Sequence, residues 1–266
     1  MVERSLDLAL AYQDNLVPES LMPNYRRFLL KNFQARAHAL GWVAVAGESD
    51  DAKLLRRHLV HAMANDGGDE VLAATGRTLT DQWLAGRAEV APDMLLAVLT
   101  TGAYYGDKAL ALRYLAKLKA TQDRQIRQKI IRSMRAFRDP AALTAGYDAV
   151  LSGDVPPVEG VFLLFAGQKF AATRELPFNY LQAHWDEVVA KRPTGGGFDL
   201  GAYLPYTGER FCDKASRDRL QTFFAERAPL FTGGPRNLAQ VVETIDLCIA
   251  RRELQGSAIA AFLGAY

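Results

Sequence analysis

The segment Lys53-Leu-Leu-Arg-Arg-His-Leu-Val-His-Ala-Met-Ala-Asn-Asp-Gly-Gly-Asp69 decides the fold of this chain. Most of its apolar residues recur one helical turn apart, so they form one face of an amphipathic helix. The members of this face are Leu54, Leu55, His58, Leu59, Ala62 and Met63. Residues 66–69 then break the helix with two glycines and provide Asp69 as the N-cap of the next helix. A helix, a short break and a new cap make up the recurring pattern of the chain.

The same pattern continues from about residue 51 to the carboxyl end. Further helix-start signals stand at Pro92, Gly106-Asp107, Asp139-Pro140 and Asp154-Val155-Pro156-Pro157. No strand pattern separates these helices, and the connections between them are short. We therefore predict an all-α fold in which antiparallel helix pairs stack side by side. Since no exact repeat of residue identity is visible, such a solenoid would be a degenerate one.

One irregular region, residues 191–211, interrupts the helices. It contains Pro193-Thr-Gly-Gly-Gly197, but no strand pattern precedes these glycines and no Gly-Lys-Ser/Thr follows, so a loop is favoured over a phosphate cradle. Two helices are predicted after it, over residues 213–227 and 235–263. We expect one helical-repeat domain over residues 1–266, with a main stack (1–190), a loop (191–211) and closing helices (212–266).

Composition limits the class of protein. The chain has 266 residues, is 49% hydrophobic and carries a formal net charge of +2, so charge alone indicates neither a nucleic-acid nor an anionic-lipid partner. No apolar run reaches the roughly 20 residues that span a bilayer, and the first residues lack a signal-peptide pattern. We expect a soluble protein.

Two cysteines cannot build a disulfide framework, and Cys248 lies on the apolar face of its helix, where we expect a buried thiol.

The sequence contains no assembled catalytic motif. His58 and His61 are three residues apart on a helix, but no His-Glu-x-x-His pattern surrounds them, so a packing role is favoured over a metal site. His184, next to Trp185, is also expected to pack. No serine or cysteine stands in a recognisable nucleophile context. We predict no catalytic residue and no metal ligand in this chain.

The helix predicted from about Thr121 to Arg138 is strongly basic. On an ideal helix its arginines fall within an arc of roughly 140°, opposite an apolar stripe. These arginines are Arg124, Arg127, Arg132, Arg135 and Arg138. A solvated outer face is one interpretation, and a positive wall suited to an anionic group such as a peptide carboxylate is another. Nucleic-acid binding is a third, but aromatic residues are not interleaved with the arginines.

Three segments, in order, carry a resemblance to a known family. They are Met134–Leu143 followed by Leu151–Val155, Tyr180–Val189 followed by Gly195–Phe198, and Leu238–Arg252 followed by Ala260–Leu263. Leu40-Gly-Trp42 and Asp51–Arg56 fit the same pattern. Together they resemble the C-terminal helical domain of the M1 zinc aminopeptidases, the group of aminopeptidase N and the endoplasmic-reticulum aminopeptidases. The resemblance covers about residues 26–263.

The resemblance implies that catalysis and peptide holding belong to separate domains of a larger enzyme. In that family the zinc-binding His-Glu-x-x-His and the Gly-Ala-Met-Glu-Asn motif lie in an upstream catalytic domain, and neither motif occurs here. The chain is therefore expected to be a fragment without peptidase activity or cofactor of its own, with zinc held by the parent enzyme. The family's helical domain stacks HEAT- or armadillo-like pairs into a concave bowl that covers the catalytic cleft and holds peptide.

The resemblance also suggests site residues and partners. Lys169 falls about where some relatives place a basic contact to the far end of the peptide, and Arg135 and Arg138 fall near another. The implied partners are the upstream catalytic domain of the same polypeptide and a peptide substrate, and we expect a monomer that binds neither nucleic acid nor membrane. The parent's compartment, cytoplasmic or cell-envelope/periplasmic, stays open. The alternative is a stand-alone helical-repeat scaffold that binds a protein partner in its groove.

Overall fold

The computed structural model describes residues 2–195 and 198–266, without the side chains of residues 12–14 and 198. The described chain is all-α, as predicted, apart from one pair of two-residue strands. It divides into two compact units, which we treat separately: unit 1 comprises Met1–Tyr105 and Arg252–Tyr266, and unit 2 comprises Gly106–Arg251. No helix of the described residues combines the length and the apolar character needed to cross a membrane.

Unit 1 is built from regular helices. These are α1 (Val2–Leu16), α2 (Met22–Leu40), α3 (Asp50–Asn65), α4 (Glu70–Leu84) and α5 (Leu95–Tyr104), with a 3-10 turn at Glu19–Leu21. Helix α2 packs on α3, α3 on α4 and α5, and α4 on α5. The predicted cap is confirmed, because the Asp69 carboxylate accepts the backbone N–H of Leu72 at 2.9 Å. The predicted face of α3 is buried at Leu55, Leu59, Ala62 and Met63, whereas Leu54 is exposed.

Helices α4 and α5 approach closely because glycines face threonines where they cross. A Cβ atom on Gly102 would lie 2.4 Å from the side chain of Thr80, and one on Gly76 would lie 2.8 Å from Thr101. The hydroxyl of buried Thr80 contacts two carbonyl oxygens, of Gly76 at 3.0 Å and of Val98 at 2.8 Å. Since Val98 belongs to α5, this hydroxyl links the two helices.

Unit 2 mixes helices with shorter turns. Its helices are α6 (Lys108–Ala120), α7 (Arg124–Met134), α8 (Pro140–Leu151), α9 (Pro157–Gly160), α10 (Leu176–Ala183), α11 (Trp185–Lys191) and α12 (Lys214–Phe224). Helix α13 (Gly234–Gly264) begins in this unit and ends in unit 1. Helix α6 packs on α7 and α8, and α8 packs on α11.

Several helix starts in unit 2 agree with the sequence prediction. Asp107 caps α6 by accepting Leu110 N at 3.0 Å, and Asp139 caps α8 by accepting Ala141 N at 3.2 Å, with Pro140 in the first turn. At the fourth signal a helix does begin, at Pro157, but it has only four residues. Its N-cap residue is Pro156, and the carboxylate of Asp154 instead pairs with Lys119 at 2.8 Å.

The region predicted as a loop contains local structure. Strands β1 (Thr194–Gly195) and β2 (Phe198–Asp199) pair antiparallel, and a 3-10 helix follows over Leu200–Gly208. Gly196 and Gly197 lie outside the described residues. The 3-10 helix packs tightly, because a Cβ on Gly201 would lie 2.2 Å from the ring of Phe231. The helix predicted at 235–263 is confirmed as α13.

The expectation of a buried thiol at Cys248 was wrong. Cys248, in α13, is disulfide-bonded to Cys212, which directly precedes the cap of α12. The bond joins residues 36 positions apart within unit 2. Helical periodicity places Cys248 on the inward face but carries no information about which residue meets it there. The bond therefore fixes the start of α12 to α13.

Candidate peptide-binding surface

The basic helix is shorter than the sequence indicates. Helix α7 begins at Arg124, capped by Asp123, whose carboxylate accepts Gln125 N at 2.7 Å, and it ends at Met134. Arg135 is the C-cap residue and Arg138 lies beyond the helix end. The predicted helix from Thr121 to Arg138 was therefore too long, and the five arginines do not share one helical face.

One of these arginines has a structural role. Arg127 pairs with Glu159 at 2.8 Å, and its Nη1 donates to the carbonyl oxygens of Leu118 at 2.7 Å and Thr121 at 3.2 Å. Its side chain is only 16% exposed. Because Leu118 and Thr121 lie at the carboxyl end of α6, Arg127 adds a side-chain donor to carbonyl oxygens of the last turn of that helix. We therefore exclude it from the ligand-binding candidates.

The structure brings Lys169 and Arg138 together on one aromatic ring. The ring centroid of Phe170 lies 5.1 Å from the guanidinium carbon of Arg138 and 5.8 Å from Nζ of Lys169. Both basic residues are exposed, whereas Phe170 is half-buried. A cation held over an aromatic face keeps its charge. Two of the three predicted site residues are thus neighbours through Phe170.

The third predicted residue, Arg135, lies near two charged residues that the sequence did not single out. Burial is the main cause that lowers the pKa of Arg135, and Glu209 opposes it while Arg210 and Arg132 add to it. Burial likewise raises the pKa of Glu209, against the effect of Arg210 and Arg135. Arg135 as a whole residue is exposed, so only its guanidinium is partly desolvated. An arginine stays charged at neutral pH despite such a shift.

Gln168 connects these two groups of residues. It is 5% exposed, and its Nε2 donates to Phe165 O at 3.1 Å and to Tyr206 O at 3.0 Å. Its Oε1 accepts the backbone N–H of Arg210 at 3.3 Å. Since Lys169 and Phe170 directly follow Gln168, one side chain fixes their backbone relative to Arg210. Nothing in the helical pattern pointed to this residue.

Other contacts hold the segment that carries Lys169. The hydroxyl of buried Tyr147 donates to Ala166 O at 2.6 Å, and Thr173 Oγ1 donates to Gly167 O at 2.7 Å. Gly167 has φ +97°, and a Cβ there would lie 2.8 Å from Leu143. A glycine is therefore required at this turn. The backbone of Lys169 is preorganised by its neighbours.

We call Arg135, Arg138, Lys169 and Arg210, with Phe170 and Glu209, the basic cluster. All of them belong to unit 2. The cluster offers basic side chains for an anionic group and an aromatic ring beside them, a combination suited to a carboxylate that ends an apolar or flexible chain. Phe170, Glu209 and Arg210 were missed by the sequence analysis, because they lie in irregular segments where periodicity gives no signal.

The histidines have partners within the chain. His58 lies 3.4 Å from a carboxylate oxygen of Asp7 and 3.6 Å from one of Glu3. His184 stacks on the ring of Tyr180, with centroids 4.3 Å apart. Across the described residues, no three His, Cys, Asp or Glu side chains are grouped in a way that could hold a metal ion.

Comparison with known proteins assigns a family to most of the chain. The model of the family described as ERAP1-like C-terminal domain matches residues 3–247. Aminopeptidase M1 of Arabidopsis thaliana is 25% identical over 234 residues, which are 86% of this chain and 26% of that protein. Glutamyl aminopeptidase of Mus musculus is 23% identical over 85% of this chain and 23% of its own length. The chain thus spans about a quarter of the length of these relatives.

Proposed function

This chain belongs to the ERAP1-like C-terminal domain family, and we propose that it is the non-catalytic C-terminal domain of an M1 zinc aminopeptidase. In that enzyme it covers the active-site cleft, encloses a cavity that holds the peptide and limits which substrates enter. The relatives that it matches along about a quarter of their length are named aminopeptidases, which supports this assignment. Its main partner is the catalytic domain of the same polypeptide.

The basic cluster is the observation that carries the peptide-holding role. An aminopeptidase acts at the amino end of a peptide, so the free carboxylate lies at the far end, away from the metal. We assign Lys169, Arg138 and Arg135 to that carboxylate, because cations that are held in place favour an anion over a neutral group. Phe170 holds two of these cations at 5.1 and 5.8 Å from its ring centroid, which supports a shared anion site.

Zinc belongs to the part of the enzyme outside this chain. The described residues contain no grouping of metal-ligating side chains, and a catalytic zinc site requires about three protein ligands. When bound in the catalytic domain, zinc supplies an activated water for hydrolysis. The residues of this chain bind and orient the far end of the peptide.

The test is to identify the natural gene product and assay it beside this chain. We expect a polypeptide that continues upstream through a His-Glu-x-x-His domain and releases amino-terminal residues from peptides, whereas the purified 266-residue chain releases none. Release of amino acids by the isolated chain would contradict the proposal. A gene product without an upstream peptidase domain would contradict it as well.

The second candidate is a stand-alone scaffold that binds a protein partner. It is supported by an apolar groove of about 640 Å³ between α12, the 3-10 turn Ala228–Leu230 and the first half of α13. Leu247, which lines this groove, is 64% exposed. A gene product that begins at Met1 and binds another protein through this groove would favour the scaffold.

A further inference from the structure

Helix α13 carries a second apolar face besides the one that packs inward. The inward face includes Val241 and Ile245, which are both 0% exposed, and Cys248 of the disulfide. The residues of the second face follow one another at intervals of three and four, which places them on one side of the helix. Its apolar members are Leu238, Ala239, Val242, Leu247 and Ala250. Each of them is partly or fully exposed, so this face has room for a ligand.

The second face forms one wall of a groove within unit 2. The opposite wall consists of Gln221 of α12, its C-cap residue Ala225, and Ala228 and Pro229 of the following turn. The groove has a volume of about 640 Å³ and follows α13 over residues 235–250. At 1.5 Å per residue this stretch is roughly 22 Å long, which corresponds to about four turns of a ligand helix.

Two contacts hold the walls of the groove together. The disulfide joins Cys212, directly before the N-cap of α12, to Cys248 of α13. Arg217 of α12 pairs with Asp246 of α13 at 2.9 Å. Because one of these contacts is covalent, the two helices keep their positions, and a ligand meets a preorganised groove.

Both charged side chains that line the groove, Glu243 and Asp246, are acidic. Asp246 is paired with Arg217, whereas exposed Glu243 has no hydrogen-bond or ion-pair partner among the residues that the structure describes. A symmetric dimer through this groove would bring the same carboxylates of two copies together, and like charges disfavour that contact. They disfavour an anionic membrane for the same reason. A ligand with an apolar face and a basic flank matches both properties of the groove.

We propose that this groove, which also supports the scaffold candidate, is a docking site for a basic amphipathic helix of a separate protein. The apolar face of that helix covers Leu238, Val242 and Leu247, and a lysine or arginine on its flank pairs with Glu243. Helices that bind in apolar grooves carry their anchors at i, i+3 or i+4, and i+7, which is the spacing that this groove presents. The proposal does not rest on the aminopeptidase role, because docking here requires no catalytic domain.

The experiment measures binding of two synthetic helical peptides, each of about 16 residues, to the purified chain. Both carry the same stripe of leucines, and one has lysines on the flanks of that stripe where the other has glutamates. Fluorescence anisotropy gives the dissociation constants, and backbone NMR shifts locate the site. We expect the lysine peptide to bind the wild type about three- to tenfold more tightly at low salt, with the largest shifts at residues 221–250.

Two variants test the residues of the groove wall. Glu243→Lys should reverse the order, so that the glutamate peptide binds more tightly than the lysine peptide. Leu247→Ala should weaken binding of both peptides about fivefold, because it removes an apolar contact and no charge. Glu89→Lys is the matched control for one reversed charge, since Glu89 is exposed and belongs to unit 1. It should leave both dissociation constants unchanged.

Three results would overturn the proposal, and two of them need no variant. The first is equal binding of the two peptides by the wild type, or NMR shifts that lie outside the groove. The second is a dimer in sedimentation velocity that Leu247→Ala dissociates, which would assign the groove to a second copy. The third is binding of the lysine peptide to the 266-residue chain but not to the intact gene product, which would mean that another domain of the same polypeptide covers the groove. The proposed function is tested separately, by the peptidase activity of the gene product.

Discussion

Arg56 of unit 1 and the arginines of the basic cluster in unit 2 stand in opposite surroundings. In unit 1, Arg56 is 2% exposed, its guanidinium pairs with both carboxylate oxygens of Glu48, and its Nε donates to Leu40 O at 3.0 Å. In unit 2, Arg135 and Arg138 are exposed near Glu209 and on the ring of Phe170. The difference indicates that Arg56 serves folding, whereas the exposed arginines of the basic cluster are the ones that we propose bind a ligand.

The largest effect is expected at the buried arginine. Arg56→Ala removes the partner of Glu48 and leaves Leu40 O without this donor, so the free energy of unfolding should fall by about 3–5 kcal/mol. Chemical denaturation measures this loss. Arg57→Ala is the matched control, because Arg57 is adjacent and exposed, and it should change stability by less than about 0.5 kcal/mol. Equal losses for the two variants would contradict the comparison.

The same pair predicts an acid dependence of stability. The hydrogen bond from Arg56 lowers the pKa of Glu48, so this stabilisation is complete above the unfolded pKa, about 4.3, and is lost as the pH falls through the lower folded value. We expect the stability of Arg56→Ala to fall less steeply between pH 5 and pH 2 than that of the wild type. Parallel pH profiles would show that the pair does not contribute.

The next largest effect is expected at the disulfide, which should distinguish unit 2 from unit 1. Replacing both Cys212 and Cys248 by Ala opens a loop of 36 residues. Chain entropy predicts that the free energy of unfolding falls by about 3–4 kcal/mol, slightly less than the largest loss expected for Arg56→Ala. Because unit 1 contains no cysteine, hydrogen exchange should accelerate around residues 212–248 and leave α3 to α5 protected. Uniform acceleration would mean that the disulfide stabilises the whole chain cooperatively.

Gln168 should show an intermediate effect on stability and a specific effect on binding. Gln168→Ala leaves the backbone groups of Tyr206 and Arg210 without their side-chain partner, at a cost of about 1–3 kcal/mol. Binding of a peptide carboxylate should weaken, since Lys169 and Arg210 are no longer held together, while carboxamide binding stays the same. Gln221→Ala, an exposed change in the same unit, should affect neither. Equal loss of carboxylate and carboxamide binding would indicate general destabilisation instead.

The sequence predicted the parts of the molecule that depend on local signals. The caps Asp69 and Asp139 and the long final helix follow from residue type and helical spacing. The contacts of Gln168 with Tyr206 and Arg210 join residues 38 and 42 positions apart, and the Cys212–Cys248 bond joins residues 36 apart. Such contacts depend on how turns and 3-10 segments fold onto the helices. Periodicity in the sequence does not encode this folding.

The sequence predicted only part of the candidate site, because periodicity does not encode how its irregular segments fold. Lys169 and Arg138 came from the family resemblance, and the structure places both on Phe170. Helical periodicity predicts one helix to residue 138 and therefore groups Arg127 with these two residues. In the structure the helix ends at Met134, and Arg127 pairs with Glu159. Where a helix ends decides which arginines share a surface.

The most direct test of the central claim is a substrate comparison in the intact enzyme that carries this chain. The double variant Lys169→Ala/Arg138→Ala should change stability by less than about 0.5 kcal/mol, because both side chains are exposed. It should raise KM for a decapeptide with a free carboxylate about tenfold, equivalent to about 1.4 kcal/mol, and leave kcat/KM for a small chromogenic aminoacyl substrate unchanged. An equal loss for both substrates, or no change for the peptide, would contradict the assignment of the basic cluster to the peptide carboxylate.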